Sequence, residues 1–597
     1  MGNLAILNSY ILRYKGRLLI GIVCVILSNF FKAKVPQEIG RALDTTVEKV
    51  QSFKATTITE QSSNIFYDEL GSSLFYFGIT VLIYALIMGV FMYFMRQTII
   101  YNSRLIEYDL RRDIYEQYQK LDISFFKKNN TGDLMSRISE DVSKVRMYLG
   151  PALLYGINLV SLFVMVIYAM VTTNPSLSFY TLLPLPLLSL SIYMVSSVIN
   201  KKSEAIQIQL ASLNSFAHEA YSGIQIIKSY VKEKAFGQAF SDESEVFKIK
   251  SLELARVNAL FFPLMILLVS ISTLLTVLIG GIQVTKGQAT AGEIAQFLIY
   301  VNMLTWPVTA IGWIASIIQT AEASQKRINE FLNEKSLIVN PTSDVHPIEG
   351  DIIFDNVSFT YPNSGIKALS DISFSLKKGE KMIIVGKTAS GKSTIAELLM
   401  RMYDPQGGKI SINDANIKDL NLNNLRHNIG YVPQDVFLFS DTVSNNIRFS
   451  NHDADIETVH RFAEHAAVKK DILRLPEGFE TRIGERGVTL SGGQKQRLSI
   501  ARALIKEPKI VVLDDCLSAV DTSTEQHILS YFKEALKDKS AIIITHRIFS
   551  SLKVDKVLVL DGGKALEYGT PAELLEKKGY YYQLLSEQRE EKQVQTR

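Results

Sequence analysis

Apolar residues are distributed unevenly along the chain. Six long apolar runs, near 18–37, 72–95, 147–173, 176–199, 258–284 and 294–318, crowd the first half. Each matches the about 20 residues a helix needs to cross roughly 30 Å of hydrocarbon. One such run alone would fit a buried soluble helix; six together, with no competing amphipathic pattern, predict six membrane-spanning helices. From residue 351 onward the pattern becomes short β-branched strands, glycine turns and polar helical stretches, the alternation expected of an α/β domain. Between the two lies "AEASQKRINEFLNEKSLIVNPTSDVHPIEG", helical at first and then a Pro- and Ser-containing connector. The expected organisation is a membrane domain over 1–325, a linker over 326–350 and an α/β domain over 351–597.

The polar segments set the orientation. Long loops between spans two and three, and between spans four and five, are helix-favouring, and the first carries Arg96, Arg104, Arg111, Lys127 and Arg137 among its cations. Basic loops face the cytoplasm, whereas the intervening segments 174–175 and 286–292 are short and 38–71 has more acids than bases. Both termini and the α/β domain are therefore expected on the cytoplasmic side. Lys32 and Lys34 sit near the outer end of span one, where their ammonium groups can snorkel to the interface. Pro184, Pro186, Pro263 and Pro307 fall within spans and are expected to bend or loosen them. Trp306 and Trp313 on span six are candidates for contact with an apolar cargo, although packing explains either one singly.

Composition adds exclusions. A net charge of +4 over 597 residues, with no concentrated basic tract, gives no nucleic-acid footprint. The two cysteines, Cys24 and Cys516, fall in different domains, so neither a disulfide nor a structural zinc site is expected. His460 and His465 are spaced wrongly for two ligands on one helical face and read as surface residues.

The chemistry is concentrated in the second domain. "KMIIVGKTASGKSTIAELLM" is a strand, a G-x-x-x-x-G-K-S loop and a helix. Such a loop turns consecutive backbone N–H groups of Gly386, Lys387, Thr388, Ala389, Ser390 and Gly391 toward phosphate oxygens at a helix N-terminus. Lys392 would reach the terminal phosphates of ATP, Ser393 would ligate Mg²⁺, and Thr394 continues the cradle. "KIVVLDD" then delivers Asp514 at a strand end, where it can hold the magnesium shell.

Between these two elements lies "LSGGQKQRLSIARAL", and with it the chain resembles the ATP-binding-cassette exporters along essentially its whole length. The resemblance implies the type I exporter fold, in which a six-helix all-α membrane domain precedes an α/β P-loop nucleotide-binding domain. It also implies a multi-pass half-transporter of a bacterial cytoplasmic membrane. Tyr361 in "FTYPNSG" matches the aromatic that stacks on adenine, and Gln434 in "YVPQD" matches the glutamine that links magnesium to the membrane domain. "SAVD", ending at Asp521, matches the loop that crosses the dimer interface; His546 in "IIITHR" matches the switch histidine. In the family two cassettes close head to tail, each ATP lying between one phosphate loop and the partner's signature, here Ser491, Gly492, Gly493 and Gln494. Coupling helices are implied near Phe125–Asn130 and Asn214–Gly223. The cargo class implied is an apolar or amphipathic compound, drug-like or lipid-like, drawn from or through the lipid bilayer.

One residue departs from the pattern. The family's catalytic glutamate is Asp515 here, in "VVLDDCLSAVD". Its carboxylate is withdrawn by about 1 Å, and a misplacement of that size can cost on the order of 10²-fold in rate. The chain's own site is thus expected to bind Mg-ATP well and hydrolyse it slowly. The intact signature would then serve a different half-transporter that carries the glutamate, as in multidrug-type heterodimers. A homodimer with two slow sites, and an ATP-gated channel or regulatory subunit, remain as alternatives.

Overall fold

In a computed structural model of the chain, residues 2–54, 60–484, 490–517, 522–548 and 552–595 are described. Contacts divide it into two units, Met1–Gln117 with Gly132–Asn333, and Tyr118–Thr131 with Glu334–Arg597.

The first unit is helical. Helix Lys15–Lys54 packs along Glu60–Met95, Leu153–Thr173 and Ala291–Leu332, and Pro184–Ser222 pairs with Glu233–Thr285. Five helices among the described residues are long and apolar enough to cross a membrane unbroken. The fourth apolar run instead forms two pieces, Pro175–Leu182 and Pro184–Ser222. The break follows from Pro184, which has no N–H to give the preceding turn; Leu183 keeps helical dihedrals (φ −53°, ψ −40°) across it. Spans four and five are joined by buried hydroxyls, with Thr181 Oγ1 and Thr276 Oγ1 2.9 Å apart and Ser272 donating to the Thr181 carbonyl at 2.6 Å. In an apolar surround such pairs satisfy groups that lipid could not. Spans one and six touch backbone to backbone: a Cβ on Gly292 would stand 2.0 Å from the Gly40 carbonyl. The sixth helix continues to Leu332, with Ile328 and Phe331 fully buried in its last turns.

The second basic loop corrects an expectation. Residues 214–222 are the end of the long helix Pro184–Ser222, not a separate coupling helix. The chain turns at Gly223, and the short helix is Ile224–Ser229, beginning about ten residues later than the family resemblance implies. Helix formers run unbroken up to Ser222, so only the glycine could mark the corner.

The second unit holds two sheets. A four-stranded antiparallel sheet is ordered β2-β1-β4-β5, from β1 Ile352–Thr360, β2 Lys367–Leu376, β4 Gly407–Ile412 and β5 Ala415–Asn416. A six-stranded sheet is ordered β10-β9-β3-β8-β7-β6, from β3 Lys381–Gly386, β6 Ile429–Val432, β7 Ile510–Asp514, β8 Ser540–Ile544, β9 Lys556–Asp561 and β10 Lys564–Gly569. All its pairs are parallel except β9 with β10. Strands β7 and β8 are buried along their full length, as expected when a parallel sheet is covered on both faces. Helix Ile123–Lys128, from the first basic loop, belongs to this unit: Asp122 caps it by accepting from Ser124 N at 2.9 Å, and its other oxygen accepts from Leu337 N at 2.6 Å.

Cys24 and Cys516 are both free and buried. His460 and His465 are not simple surface residues. His460 lies 4.2 Å from the Phe479 ring and His465 stacks on Tyr531 at 4.0 Å, with burial, then Arg461, holding the His465 imidazole below its ordinary range. Their apolar faces were bought by aromatic neighbours far away in sequence, which helical spacing alone does not reveal.

Candidate nucleotide-binding site

Strand β3 ends at Gly386, whose φ of +155° and a would-be Cβ only 2.1 Å from the Leu560 carbonyl admit glycine alone. Gly391 closes the loop in the left-handed region (φ +95°), where a Cβ would meet the Ala368 carbonyl at 2.5 Å. Helix Lys392–Leu399 starts there. The Lys392 ammonium donates to the carbonyls of Gly386 (2.9 Å) and Lys387 (2.7 Å), so the lysine holds its own loop in shape. Burial lowers its pKa, while Asp514 and Asp515 pull the other way. The Ser390 hydroxyl is buried without a hydrogen-bond partner among the described residues. A buried, unpartnered hydroxyl within a glycine-framed loop fits a bound triphosphate oxygen.

The parallel ladder brings the other chemistry to the same edge. Asp514 is level with Ile544, and Ile544 with Ile384, so the C-terminal ends of β7, β8 and β3 lie in one row. Asp515, Thr545 with His546, and the phosphate loop follow directly. Gln434 lies just beyond β6, whose Val432 is level with Leu513. Ligands of open α/β sheets bind at this carboxyl edge. Asp514 is buried (2% exposed), and its pKa is raised to about 6, chiefly by burial and further by Asp515, against the opposing Ser393 hydroxyl and Lys392. Asp514 with Ser393 offers a carboxylate and a hydroxyl, the oxygen donors that a hard divalent cation such as Mg²⁺ takes. Because a carboxylate must be ionised to hold such a cation, Mg-ATP binding should weaken as the pH falls through about 6, with magnesium itself drawing the midpoint lower. Nucleotide titrations between pH 5 and pH 8 on the Asp514→Asn variant, which should lose the pH dependence, check this.

Asp515 is fixed from two sides. Asp515 adopts φ +46°, its N–H donates to the Ile544 carbonyl at 2.9 Å, and its own carbonyl accepts from Gln496 at 3.4 Å. Gln496 is on the signature helix Gly492–Leu504, which Ser491 caps reciprocally with Gln494. Ser491 and Gly492 are exposed to solvent, so the signature opens outward. His546 is exposed, and Asp521 lies outside the described residues.

Tyr361 is at the site, in company that its motif does not reveal. Its hydroxyl is bonded to Thr394 Oγ1 (2.9 Å) and to Glu397 (2.8 Å), and Lys127 of helix Ile123–Lys128 pairs with the same Glu397 at 3.1 Å. The Lys127 ammonium also stands 5.4 Å over the Tyr361 ring and 5.3 Å over Tyr403. Burial opposes its charge, yet Tyr403 and Glu397 together raise its pKa. Glu397 is not singled out by any sequence motif, although its place three residues after Thr394 on the same helix could have pointed to it; Lys127, remote in sequence, carries no such signal. Removing Glu397 with Gln should free the Tyr361 ring and raise KM for ATP a few-fold with little change in kcat, as expected for loss of a partly exposed contact worth about 1 kcal/mol. Steady-state ATPase kinetics of Glu397→Gln and Lys127→Ala check it.

A six-helix membrane unit and a P-loop sheet with a signature helix define an ATP-driven transporter of the exporter layout. Sequence profiles agree: "ABC transporter transmembrane region" matches residues 18–308 and "ABC transporter" matches 369–518. The chain is 36% identical over 577 residues to the "Probable multidrug resistance ABC transporter ATP-binding/permease protein YheI" of Bacillus subtilis (strain 168), covering 96% of this chain and 95% of that protein. It is 33% identical to the "Multidrug resistance-like ATP-binding protein MdlA" of Escherichia coli (strain K12), over 84% of this chain and 85% of that one. It is 34% identical to an "ATP-dependent lipid A-core flippase" of Pseudomonas fluorescens, over 80% and 79%. The fold matches the solved "Structure of a bacterial Atm1-family ABC exporter with ATP bound", with TM-score 0.75 over 96% of this chain and 98% of that one at 24% identity. The chain belongs to the ABC transporter family, as a half-transporter of the exporter type with a type I exporter fold.

Proposed function

We propose that this chain is one half of an ATP-driven exporter of apolar or amphipathic compounds, that its own nucleotide pocket is slow, and that it works with a second, different half-transporter carrying the catalytic glutamate. The carrying observation is Asp515, a shortened acid on a turn held from both sides. The multidrug and lipid-flippase relatives support the cargo class.

Pairing has its own support in the turn after span four. Tyr221, Ile226, Tyr230 and Val231 are exposed there by 66–80%, an apolar tip that a single chain leaves uncovered. In the closed dimer Ser491, the amides of Gly492 and Gly493, and Gln494 would complete the partner's γ-phosphate site from a helix N-terminus. In this chain's pocket Lys392 and the loop amides would bind the triphosphate, Tyr361 would stack on adenine, and Asp515 would face the attacking water with His546 beside it. Ser393, Asp514 and Gln434 would hold magnesium, which when bound neutralises charge on the β- and γ-phosphates. ATP then acts as glue between cassettes, and its hydrolysis releases them.

Affinity purification of the tagged chain from its native membrane, with intact-mass analysis of what copurifies, tests the pairing. A second half-transporter with Glu at the aligned position is expected. Recovery of this polypeptide alone, as a dimer, would overturn the heterodimer reading.

A further inference from the structure

Two π-helical turns, Arg96–Ile100 after span two and Tyr148–Ala152 before span three, pack against each other. Such turns widen a helix by one residue and recur at functional sites. Here they are brought close by Gly150, where a Cβ would stand 2.6 Å from the Ser103 hydroxyl. Between them opens a cleft of about 420 Å³ lined by Arg96, Ile100, Tyr101, Arg104, Leu154 and Tyr155.

Its charge is unbalanced. Arg104, Arg111 and Arg146 all rely on one buried carboxylate, Glu107, at 2.9, 2.8 and 3.5 Å. The Nε of Arg146, the atom that makes the 3.5 Å ion pair, is buried and completes no hydrogen bond among the described residues. Arg17 adds a fourth guanidinium, 5.5 Å over the Tyr101 ring, and Arg96 has no acidic partner among the described residues. A surplus of guanidinium at the cytoplasmic rim of the spans, with Arg17, Arg96 and Arg104 exposed, attracts phosphate or carboxylate. The lining residue Tyr155 leads out of the cleft to an aromatic surface: it meets Trp306 at 5.7 Å and Trp313 at 5.5 Å, both edge-on, and both indoles are about half exposed. Cations beside an aromatic surface describe a receptor for a molecule with an anionic head and an apolar body.

We propose that this cleft binds an anionic amphiphile, with Arg96 and Arg104 on its phosphate or carboxylate and Tyr155, Trp306 and Trp313 against its apolar part. The inference deepens the exporter reading, on which its description as a cargo site rests.

The test uses the intact, assembled transporter in phosphatidylcholine nanodiscs. Dodecyl phosphate is titrated against tryptophan emission, with a Trp306→Phe/Trp313→Phe variant as the blank, because these are the chain's two tryptophans. Saturable quenching by dodecyl phosphate is expected. Dodecyltrimethylammonium and inorganic phosphate should each bind at least about tenfold more weakly, and Arg96→Ala/Arg104→Ala should lose about tenfold in affinity, as for a lost charge-assisted contact. If that variant assembles poorly, Arg96→Lys serves instead, with a smaller loss expected because it keeps the charge without the fork. Equal response to the cationic probe, equal competition by inorganic phosphate, unchanged affinity in the arginine variants, or no quenching at all would overturn the proposal. ATP-driven uptake of a neutral hydrophobic dye into inverted vesicles separates the two readings. Uptake without dodecyl phosphate binding overturns this cleft only; binding without any uptake overturns the exporter reading.

Discussion

Asp515→Glu should raise ATP turnover at this chain's own pocket by about a hundredfold, measured in an assembly whose partner site has been silenced at its catalytic acid. The magnitude follows from reach. A general base must lie within hydrogen-bond distance of the proton it takes, and one methylene moves the carboxylate by about 1 Å. Backbone adjustment is the obvious way to recover that distance, and the turn forbids it. The Asp515 N–H is tied to the end of β8 through Ile544, while its carbonyl is tied to the signature helix through Gln496. Moving the residue toward the phosphates would break one or both. The same turn explains what aspartate gains: at φ +46° a short polar side chain is tolerated better than a longer one. The Glu variant should therefore be slightly less stable, by up to about 1 kcal/mol, while it is far faster. Thermal unfolding beside single-turnover phosphate release reads both signs. An unchanged rate would mean that reach is not what limits hydrolysis.

The parts of this molecule that sequence could reach are those whose chemistry is local. The strand, loop and helix around Gly386–Thr394 had to be contiguous to make a phosphate cradle, so they were visible as a string. Asp514 was visible because a strand end followed by acids is a local pattern, but its raised pKa was not, since the burial that chiefly raises it depends on the whole sheet. The break at Leu183 is a proline effect and was foreshadowed by Pro184. The short helix that the family resemblance implies near Asn214–Gly223 lies at Ile224–Ser229 instead, because helix-favouring residues carry the preceding long helix on to Ser222. The pairing of Lys127 with Glu397 and Tyr361, and the cleft between the π turns, join residues far apart in the chain. Helical periodicity carries no record of such meetings.

Lys392→Ala should weaken Mg-ATP binding in this pocket by about a hundredfold, the scale of losing charge-assisted hydrogen bonds to a phosphate. Two further losses go with it. The carbonyls of Gly386 and Lys387, which the ammonium now serves at 2.9 and 2.7 Å, would be left to water, loosening a loop whose glycines already sit in conformations that other residues avoid. Asp514 would lose the neighbouring cation that favours its ionised form, so its pKa should climb above about 6. More of it would then be protonated at neutral pH, and the pH below which magnesium-dependent binding fails should rise. Lys392→Met separates the terms, keeping the stem's packing while removing the charge. If packing of the stem were what mattered, Met would bind nucleotide nearly as well as Lys. If the ammonium matters, Met and Ala should fail alike, and both should show the upward pH shift in titrations of a fluorescent ATP analogue on the assembled transporter.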